Sequence, residues 1–381
     1  MSSLKVELIA DLSRFEALGT EWNALVGRME LPEIFYRWEW NFHYFRRFRT
    51  DDALFVVTVR DGAGQLIGIA PLCIRRLKRL GCPVRVVETL LVNLGDYRNF
   101  LVDRAHHRGA IVDAILDLLH SRQSSWDVID LAQFCSREPT TFHVLEAASR
   151  CSAWTVRSQI LTAVAIRPLD GRVGENAGRL RRIRNRRRAL QDRGFEISIG
   201  SDRLDEFWAD FVALHRKAWP SSPFHEERGR LFYDDLRNSP ALKEKLEFSY
   251  IALAGRPVAM HFGFVDQHKV YFYMPVMDRD FHKDQVGAVL LYAQLEYYQG
   301  KYESFDFLRG LEAYKTWYTD GLAANFRIVI SRNSSLSAFM YNVTEVARRF
   351  IVELGLPKAI VGYLRGLGRR SRQPSRKQQD T

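Results

Sequence analysis

Five polar side chains that could act on a substrate lie within ten consecutive positions: Asp306, Arg309, Glu312, Tyr314 and Lys315. The pattern at 304–308 predicts a short buried strand, and Gly310 predicts a turn before a helix from Glu312 to Asp320 that ends at Gly321. A strand end that leads into a helix is a common ligand position in α/β proteins. Ionisable groups packed there often have a shifted pKa. The segment therefore predicts a catalytic site.

Two carboxylates of this segment, Asp306 and Glu312, are candidates for a general base that accepts a proton during the reaction. Asp306 alternates with Phe305 and Phe307. If that apolar pair points into the core, Asp306 faces a cleft or a flanking helix. For Glu312, the alternative interpretation is a first-turn residue that complements the helix dipole.

The other candidates also have two interpretations each. Tyr314 could donate a proton to a leaving group, or it could pack with its hydroxyl hydrogen-bonded. Arg309 and Lys315 suit an anionic substrate group, or they form an ordinary surface pair. His261, within a predicted strand, is either a base or a buried wall residue with satisfied hydrogen bonds.

A second group of residues suits an anionic cofactor. A predicted strand at 270–277 and a polar loop at 278–284 precede an apolar helix at 286–298. Backbone N–H groups at a helix N-terminus bind phosphates, and a glycine lets the backbone approach closely. The backbone N–H at Met277, the last residue of the predicted strand, is also a candidate donor to an oxyanion. The candidate cofactor-binding residues are Met277, His282, Lys283, Val286, Gly287 and Ala288.

The two halves of the chain share one order of predicted elements. The predicted fold class is therefore α/β (α+β), with two tandem domains that each hold a mixed, mostly antiparallel sheet flanked by helices. Residues 154–166 are predicted as edge strands. In the amino-terminal half, Asp96, Tyr97 and Arg98 lie in a polar loop after a strand. They could bind the acceptor substrate, or they could form a capped turn.

The predicted boundaries divide the chain into four parts. These are an amino-terminal domain at 1–170, a basic linker helix at 171–200, a carboxyl-terminal domain at 201–335, and an amphipathic helix with a basic tail at 336–381. The stretch 179–193 holds eight arginines, and the tail is also basic. Both could bind phosphates of a cofactor, a lipid-linked sugar, membrane lipid or RNA.

Bulk properties limit the class of protein. The 381 residues are 46% hydrophobic, which is enough for two domains. The net charge of +11 indicates an anionic partner. Four cysteines without CxxC spacing predict buried thiols in a reducing compartment and no metal site. We see no signal peptide and no apolar run of about 20 residues, so we expect a cytoplasmic protein, with peripheral contact at the inner membrane left open.

Residues 306–315 resemble the D-F-x-x-G-x-E-x-Y-K signature of the CelD/BcsL-type branch of the GNAT acyltransferase superfamily. The hairpin at 255–259 and the helix start at Gly287 support this resemblance, which extends over about residues 20–335. The tandem GNAT fold is also similar to that of Fem-type aminoacyl-tRNA-dependent transferases of cell-wall synthesis. The chain departs from the superfamily at the pyrophosphate-binding loop, which usually reads Q/R-x-x-G-x-G/A. In the corresponding residues 282–288, only Gly287 and Ala288 can be aligned with this pattern.

The resemblance implies an acyl-CoA-dependent N- or O-acyltransferase. It implies no tightly bound cofactor, with acetyl-CoA or another acyl-CoA as co-substrate. The expected acceptor is a phosphorylated or lipid-linked saccharide or a lipid precursor of the cell envelope or of exopolysaccharide synthesis, and contact with an anionic membrane stays open. The alternatives are a Fem-type transferase and a non-catalytic binding protein of polysaccharide synthesis. We find no aromatic-interleaved RNA motif and do not expect a nucleic-acid partner.

Overall fold

The structure, a computed structural model, describes residues 4–170, 177–319 and 321–353. Helices of the amino-terminal half are α1 (Leu12–Ala17), α2 (Gly19–Gly27), α3 (Trp38–Phe48), α4 (Arg108–Ser121) and α5 (Thr140–Arg150). Its strands are β1 (Lys5–Ile9), β2 (Ala53–Leu54), β3 (Val56–Arg60), β4 (Leu66–Ala70), β5 (Leu72–Arg79), β6 (Cys82–Thr89), β7 (Leu101–Val102), β8 (Val128–Cys135) and β9 (Trp154–Pro168).

The carboxyl-terminal half repeats this succession of helices, a hairpin, further strands, a helix and a strand. Its helices are α6 (Ala177–Asp192), α7 (Leu204–Ala218), α8 (Glu227–Arg237), α9 (Pro240–Lys243), α10 (Val286–Tyr298) and α11 (Leu336–Glu353). Its strands are β10 (Phe195–Ser198), β11 (Leu246–Leu253), β12 (Arg256–Asp266), β13 (Lys269–Met277), β14 (Ser304–Arg309) and β15 (Leu322–Arg332). The predicted mixed α/β fold with two similarly built halves is confirmed.

The two halves exchange strands. The larger sheet has the order β10-β11-β12-β13-β14-β9-β15-β8-β6-β5-β2, and a smaller sheet has the order β1-β3-β4-β7. Strand β15 of the carboxyl-terminal half lies between β8 and β9, while β9 of the amino-terminal half lies beside β14. Each half therefore completes its part of the sheet with a strand from the other, and the domain boundaries given above stay a prediction.

The prediction of edge strands at 154–166 is only partly right, because these residues belong to the single strand β9. Strand β9 pairs with β14 between Val164 and Pro168 and with β15 between Trp154 and Ala165, so the two ladders overlap only at Val164 and Ala165. The part before Val164 pairs with β15 alone, and several of its side chains are exposed. Val164 and Ala165 are fully buried, which fits their position inside the sheet.

The predicted helix from Glu312 to Asp320 is wrong. Among its described residues, only Lys315–Trp317 is helical, as one short 3₁₀ turn. Arg309 and Ala323 both pair with Val164, on opposite edges of β9. Residues 310–321 must therefore carry the chain across β9, and such a crossover between parallel strands needs about a dozen residues. Instead of a helix, this segment is held by bonds to the neighbouring strands, with Thr319 donating to the carbonyl of Ile166 at 2.6 Å and Lys315 donating to the carbonyl of Arg309 at 2.9 Å.

An aromatic core joins the two halves. The ring of Trp40 in α3 lies 5.5 Å from the rings of Phe232 and Phe264 and 5.6 Å from that of Tyr273, all from the carboxyl-terminal half. Edge-to-face pairs at these distances add to the stabilisation from buried area. The halves are thus fixed relative to each other by packing as well as by the exchanged strands.

We predict that loss of one side chain from β15 destabilises both halves together. Ile328 is fully buried among residues of the amino-terminal half. We expect Ile328→Ala to lower the free energy of unfolding by about 2–5 kcal/mol and to leave one cooperative transition, measured by chemical denaturation with two optical probes. Leu322→Ala on the same strand is the control, because Leu322 is exposed and its loss should change stability by less than about 0.5 kcal/mol. Two separate transitions, with only one shifted, would contradict this.

Candidate active site

The parallel strands β13 and β14 separate after three residue pairs. Their register runs from Lys269 opposite Ser304 to Tyr271 opposite Asp306, and β13 then continues to Met277 without β14 beside it. Strand β14 remains paired with β9 on its other edge. The separation forms a wedge, the β13–β14 notch, towards the carboxyl ends of the two strands. This is where open α/β sheets place their ligands.

A β-bulge lies at the end of β14. Asp306 pairs with Ile166 and Arg309 pairs with Val164, so β14 spans three steps where β9 spans two. Leu308 has a φ of +61°, and its N–H donates a 2.8 Å hydrogen bond to Asp306. Bulges redirect side chains near active sites, and a non-glycine residue at positive φ costs energy that often marks a functional site. The bulge determines where Arg309 points.

Asp306 lies in a buried polar cluster between the two halves. Its carboxylate accepts a 2.8 Å hydrogen bond from the Tyr97 hydroxyl and lies 3.4 Å from the ammonium of Lys269. The same ammonium is 2.6 Å from Glu33, which also accepts a 2.8 Å hydrogen bond from Tyr271. Asp306 therefore faces the amino-terminal half, away from Phe305 and Phe307, and its catalytic role stays a prediction.

The charges in this cluster depend on one another. Burial raises the pKa of Glu33, and Asp306 raises it further, while Lys269 opposes both effects. Burial alone would lower the pKa of Lys269, but the carboxylates of Glu33 and Asp306 outweigh burial and raise it. Lys269 is therefore protonated at neutral pH and holds a carboxylate from each half.

The predicted substrate loop is joined to the predicted catalytic segment. Arg309 contacts Asp96 at 2.6 Å and donates a 2.5 Å hydrogen bond to the carbonyl of Asn93. Burial raises the pKa of Asp96, and Arg309 opposes that rise. Together with the contact between Tyr97 and Asp306, these bonds place the loop beside the end of β14.

Arg98 is not part of this group. Its buried guanidinium donates to the carbonyls of Val92 and Gly95 within its own loop. The backbone of Arg98 also forms an isolated β-bridge with that of Phe134 near the end of β8. It supports the shape of the loop in the structure, and its predicted role in substrate binding stays a prediction.

The crossover loop at 310–321 is closed by its own ion pair. Lys315 lies 2.8 Å from Glu312 and donates a 2.9 Å hydrogen bond to the carbonyl of Arg309. Gly310 has a φ of +102°, which favours glycine, and a Cβ atom there would lie 2.9 Å from a carboxylate oxygen of Glu312 that folds over the turn. Because no α-helix begins here, the helix-dipole interpretation of Glu312 is wrong. Its side chain is 57% exposed.

Tyr314 and His261 occupy different surroundings. Tyr314 packs against an apolar cluster near the crossover loop, and burial raises its pKa. His261 is fully buried and stacked on Phe272, with its Nδ1 atom at Glu247 and its Nε2 atom accepting a 3.0 Å hydrogen bond from the N–H of Tyr273. Both ring nitrogens of His261 have partners within the protein, and its role as a base stays a prediction.

The wide end of the notch meets the N-terminus of α10. Gln285 precedes this helix with a φ of +55°, and no side chain caps it. A Cβ atom on Gly287 would lie 3.1 Å from the sulfur of Met277, so the glycine lets α10 approach β13 closely. The N–H of Asp278 donates to Val258 on β12 at 2.8 Å. Backbone groups alternate along a strand, so the N–H of Met277 points away from β12 towards the notch.

Basic side chains from four elements surround this helix end. Arg193, after α6, contacts Asp284 at 2.5 Å. Arg256 of β12 and Lys217 of α7 contact Asp278 at 2.7 Å and 3.4 Å. The 3₁₀ segment Arg279–Asp284 adds the basic side chains of Arg279, His282 and Lys283, beside the carboxylates of Asp280 and Asp284. We call the basic members of this set the basic rim. Val286, Gly287 and Ala288 form the first turn of the helix it surrounds.

Sequence reasoning missed several of these residues. Glu33 and Lys269 lie at turn-like positions far apart in the chain, so no local pattern brings them together. The residues Arg193, Lys217 and Arg256 come from separate elements, and only the arginine run gave a signal for the first of them. Long-range pairing of this kind is visible only after the halves are packed.

Glu138 was also missed, although it lies three residues after the end of β8. One carboxylate oxygen accepts a 3.0 Å hydrogen bond from Thr140, and the other is buried and has no hydrogen-bond partner. Burial raises the pKa of Glu138 to about 7. Tyr36 lies close enough for both Glu138 and Glu33 to affect its own pKa, so Glu138 borders the polar cluster.

We predict that the buried cluster depends on the charge of Lys269. The variant Lys269→Met leaves Glu33 and Asp306 without their cation, and breaking a buried pair in this way costs about 3–5 kcal/mol. Urea denaturation should show this loss. The double variant Glu33→Gln, Lys269→Met should recover part of it, because one uncompensated charge is removed. A single variant as stable as the parent protein would contradict the cluster as described.

We predict a stability change with pH that depends on Glu138. Because the pKa of Glu138 is higher in the folded protein, the folded state keeps the proton up to a higher pH than the unfolded state does. The free energy of unfolding therefore falls as the pH rises from about 4.5 to about 7. The loss from this group is up to about 3 kcal/mol. Glu138→Gln should match the parent protein at pH 5 and be more stable at pH 8, measured by thermal unfolding across this range. Parallel pH curves for the two proteins would disprove this.

Comparison with known proteins agrees with the geometry of the carboxyl-terminal half. Residues 177–316 match the sequence profile of the acetyltransferase (GNAT) domain family. This match includes α10, both strands of the notch and the 306–315 segment. No curated protein matches the chain. The matched stretch is therefore similar to a GNAT-type acetyltransferase domain.

The whole fold is similar to that of several solved structures. FemX shares 13% sequence identity with a TM-score of 0.56, over 85% of this chain and 96% of its own. L-PGS from Bacillus licheniformis shares 14% identity with a TM-score of 0.51, over 88% of this chain and 96% of its own. At such identities the likeness concerns the fold alone. Both halves of this chain thus share an architecture with these proteins.

Proposed function

We propose that the protein is an acyl-CoA-dependent N- or O-acyltransferase of the CelD/BcsL-type branch. Its acceptor is a phosphorylated or lipid-linked saccharide or a lipid precursor of the cell envelope or of exopolysaccharide synthesis. One observation carries the proposal: the β13–β14 notch opens at the uncapped N-terminus of α10, and the basic rim surrounds that helix end. A strand pair that opens beside a free helix N-terminus suits a thioester attached to a phosphorylated carrier.

The donor would bind along the notch. The N–H groups of Val286, Gly287 and Ala288 have no partner earlier in their helix, because the first turn of any helix leaves them free. They would hold the pyrophosphate with the help of Lys283 and Arg193. The thioester carbonyl would then reach the N–H of Met277, and one such donor to the oxyanion is worth about 3–4 kcal/mol.

The transfer step needs no covalent enzyme intermediate. The acceptor amine or hydroxyl attacks the thioester carbonyl, and the bond to sulfur breaks as the new bond forms. Glu312 would take the proton of the acceptor, since its carboxylate is partly exposed at the crossover loop. The thiolate of CoA leaves and is protonated by Tyr314 or by water. Positioning of both substrates supplies about 7–11 kcal/mol of the rate enhancement in well-oriented reactions.

The acceptor would approach from the side of the amino-terminal half. Arg309 is redirected by the bulge and is held against Asp96, with part of its side chain still exposed. A guanidinium in this position suits a phosphate or carboxylate of the acceptor, because it forms paired, charge-assisted hydrogen bonds. Asp306 and Tyr97, both buried, would position this end of the strand without contacting substrate.

A second candidate is a Fem-type transfer from aminoacyl-tRNA, favoured by the outer face of α6. Arg184 and Arg187 of this helix pair with Glu296 at 3.3 Å and 2.8 Å. Four further arginines of α6 are exposed and have no ion pair within the described ranges: Arg181, Arg182, Arg186 and Arg188. A basic helix face of this kind suits a phosphate backbone. A non-catalytic binding role is the third possibility.

We predict that Glu312→Gln lowers kcat for acyl transfer by about 10²–10⁴-fold, the usual contribution of a general base. Free thiol released from acetyl-CoA and longer acyl-CoAs, in the presence of candidate saccharide acceptors, is the measurement. The dissociation constant for acyl-CoA, from calorimetry, should not change, and neither should the melting temperature, because the side chain is partly exposed.

Glu303→Gln is the matched control, since Glu303 is an exposed glutamate that pairs with His268 outside the notch. It should leave kcat unchanged. If the parent protein binds no acyl-CoA, the proposal fails. Binding of tRNA that is strong at low salt and weak at high salt, together with indifference to acyl-CoA, would favour the Fem-type alternative.

A further inference from the structure

Helix α11 has two apolar faces, and only one of them is packed. Ala338 and Tyr341 are buried against β6 and β8. On another face, four large apolar side chains recur at helical spacing and are exposed. Their exposed fractions are 70% for Leu336, 61% for Phe339, 41% for Val343 and 45% for Val346. We call these four residues the α11 stripe.

A single packed face would be enough to hold a surface helix, since such helices usually show one apolar stripe and a polar remainder. The α11 stripe is therefore unexplained by the fold. Contiguous exposed apolar surface of this kind usually marks an interaction site. Three of the four side chains also line a groove of about 570 Å³ between α11 and the strands β9 and β15.

The charges near the stripe are mostly positive. Arg157 and Arg332 line the groove. The acidic Glu345 is already paired with Arg327 and Arg348 at 3.0 Å and 3.1 Å. In the sequence, the residues after α11, 354–381, hold seven lysines and arginines and one aspartate. The partner that complements this surface is apolar and anionic at once.

We propose that the α11 stripe docks onto the surface of an anionic lipid bilayer. Helices that lie in a membrane interface combine an apolar face with basic residues, which bind acidic headgroups. None of the helices within the described ranges is long and apolar enough to cross a membrane. The proposal rests on this surface and not on the transfer chemistry.

The test is co-sedimentation of the full chain with vesicles. The parent protein should bind vesicles of equal parts phosphatidylglycerol and phosphatidylcholine more tightly than vesicles of phosphatidylcholine alone, and added salt should weaken the binding. The double variant Phe339→Ser, Val343→Ser should bind the anionic vesicles at least about tenfold more weakly, because it lacks two apolar side chains that the bilayer would bury. Its melting temperature should match that of the parent protein.

Phe142→Ser is the matched control, because Phe142 on α5 is also about half exposed but lies outside the stripe. It should bind like the parent protein. Absence of vesicle binding, or equal binding by the stripe variant, would overturn the proposal. A parent protein that is dimeric, binds no vesicles and becomes monomeric in the stripe variant would instead assign the stripe to a second copy. If the stripe variant is less stable than the parent protein and binds vesicles equally well, the stripe would instead be assigned as a packing surface for residues 354–381.

Discussion

The crossing of β9 by the chain between β14 and β15 constrains the rest of the molecule. Because β14 and β15 run parallel on opposite edges of β9, the loop at 310–321 is held at both ends by pairing with the same short part of that strand. Gly310 donates to Ala163, and Gly321 accepts a hydrogen bond from Ile166. The five polar residues noticed first in the sequence are therefore fixed by the sheet, rather than by a helix of their own.

The same crossing explains why the polar cluster between the halves can exist. Strand exchange brings β14 against the amino-terminal half, so that Asp306 meets Tyr97 and Lys269 meets Glu33. Removing two carboxylates and an ammonium from water costs free energy. Their mutual attraction offsets this cost only when the charged groups are in direct contact and their other polar atoms are hydrogen-bonded. Here Tyr271 and the N–H of Leu308 supply those bonds. The cluster thus depends on the strand exchange that brings its members together.

The sequence was sufficient for features that depend on local patterns. The helix at 286–298 and the strand pairs around the 254–257 turn follow from periodicity and turn residues, and both are found in the structure. The extent of β9 and the path after β14 were not predictable in this way. Thr319 bonds to Ile166 across the crossover, and such a long-range contact overrides the local helical pattern. Glu33 and Lys269 are separated by more than half of the chain, so nothing local in the sequence indicates their contact.

The environments of the two carboxylates at the end of β14 favour different tasks for them. Asp306 is fully buried, with one oxygen bound to the N–H of Leu308 and the other bound to Tyr97. A carboxylate with both oxygens engaged in this way is suited to holding the bulge in place. Glu312 lies only three residues past the strand, is partly exposed and is tied by one oxygen to Lys315. Since a general base must reach its proton within hydrogen-bond distance, we propose that Glu312 accepts the proton and that Asp306 acts through the position of Arg309.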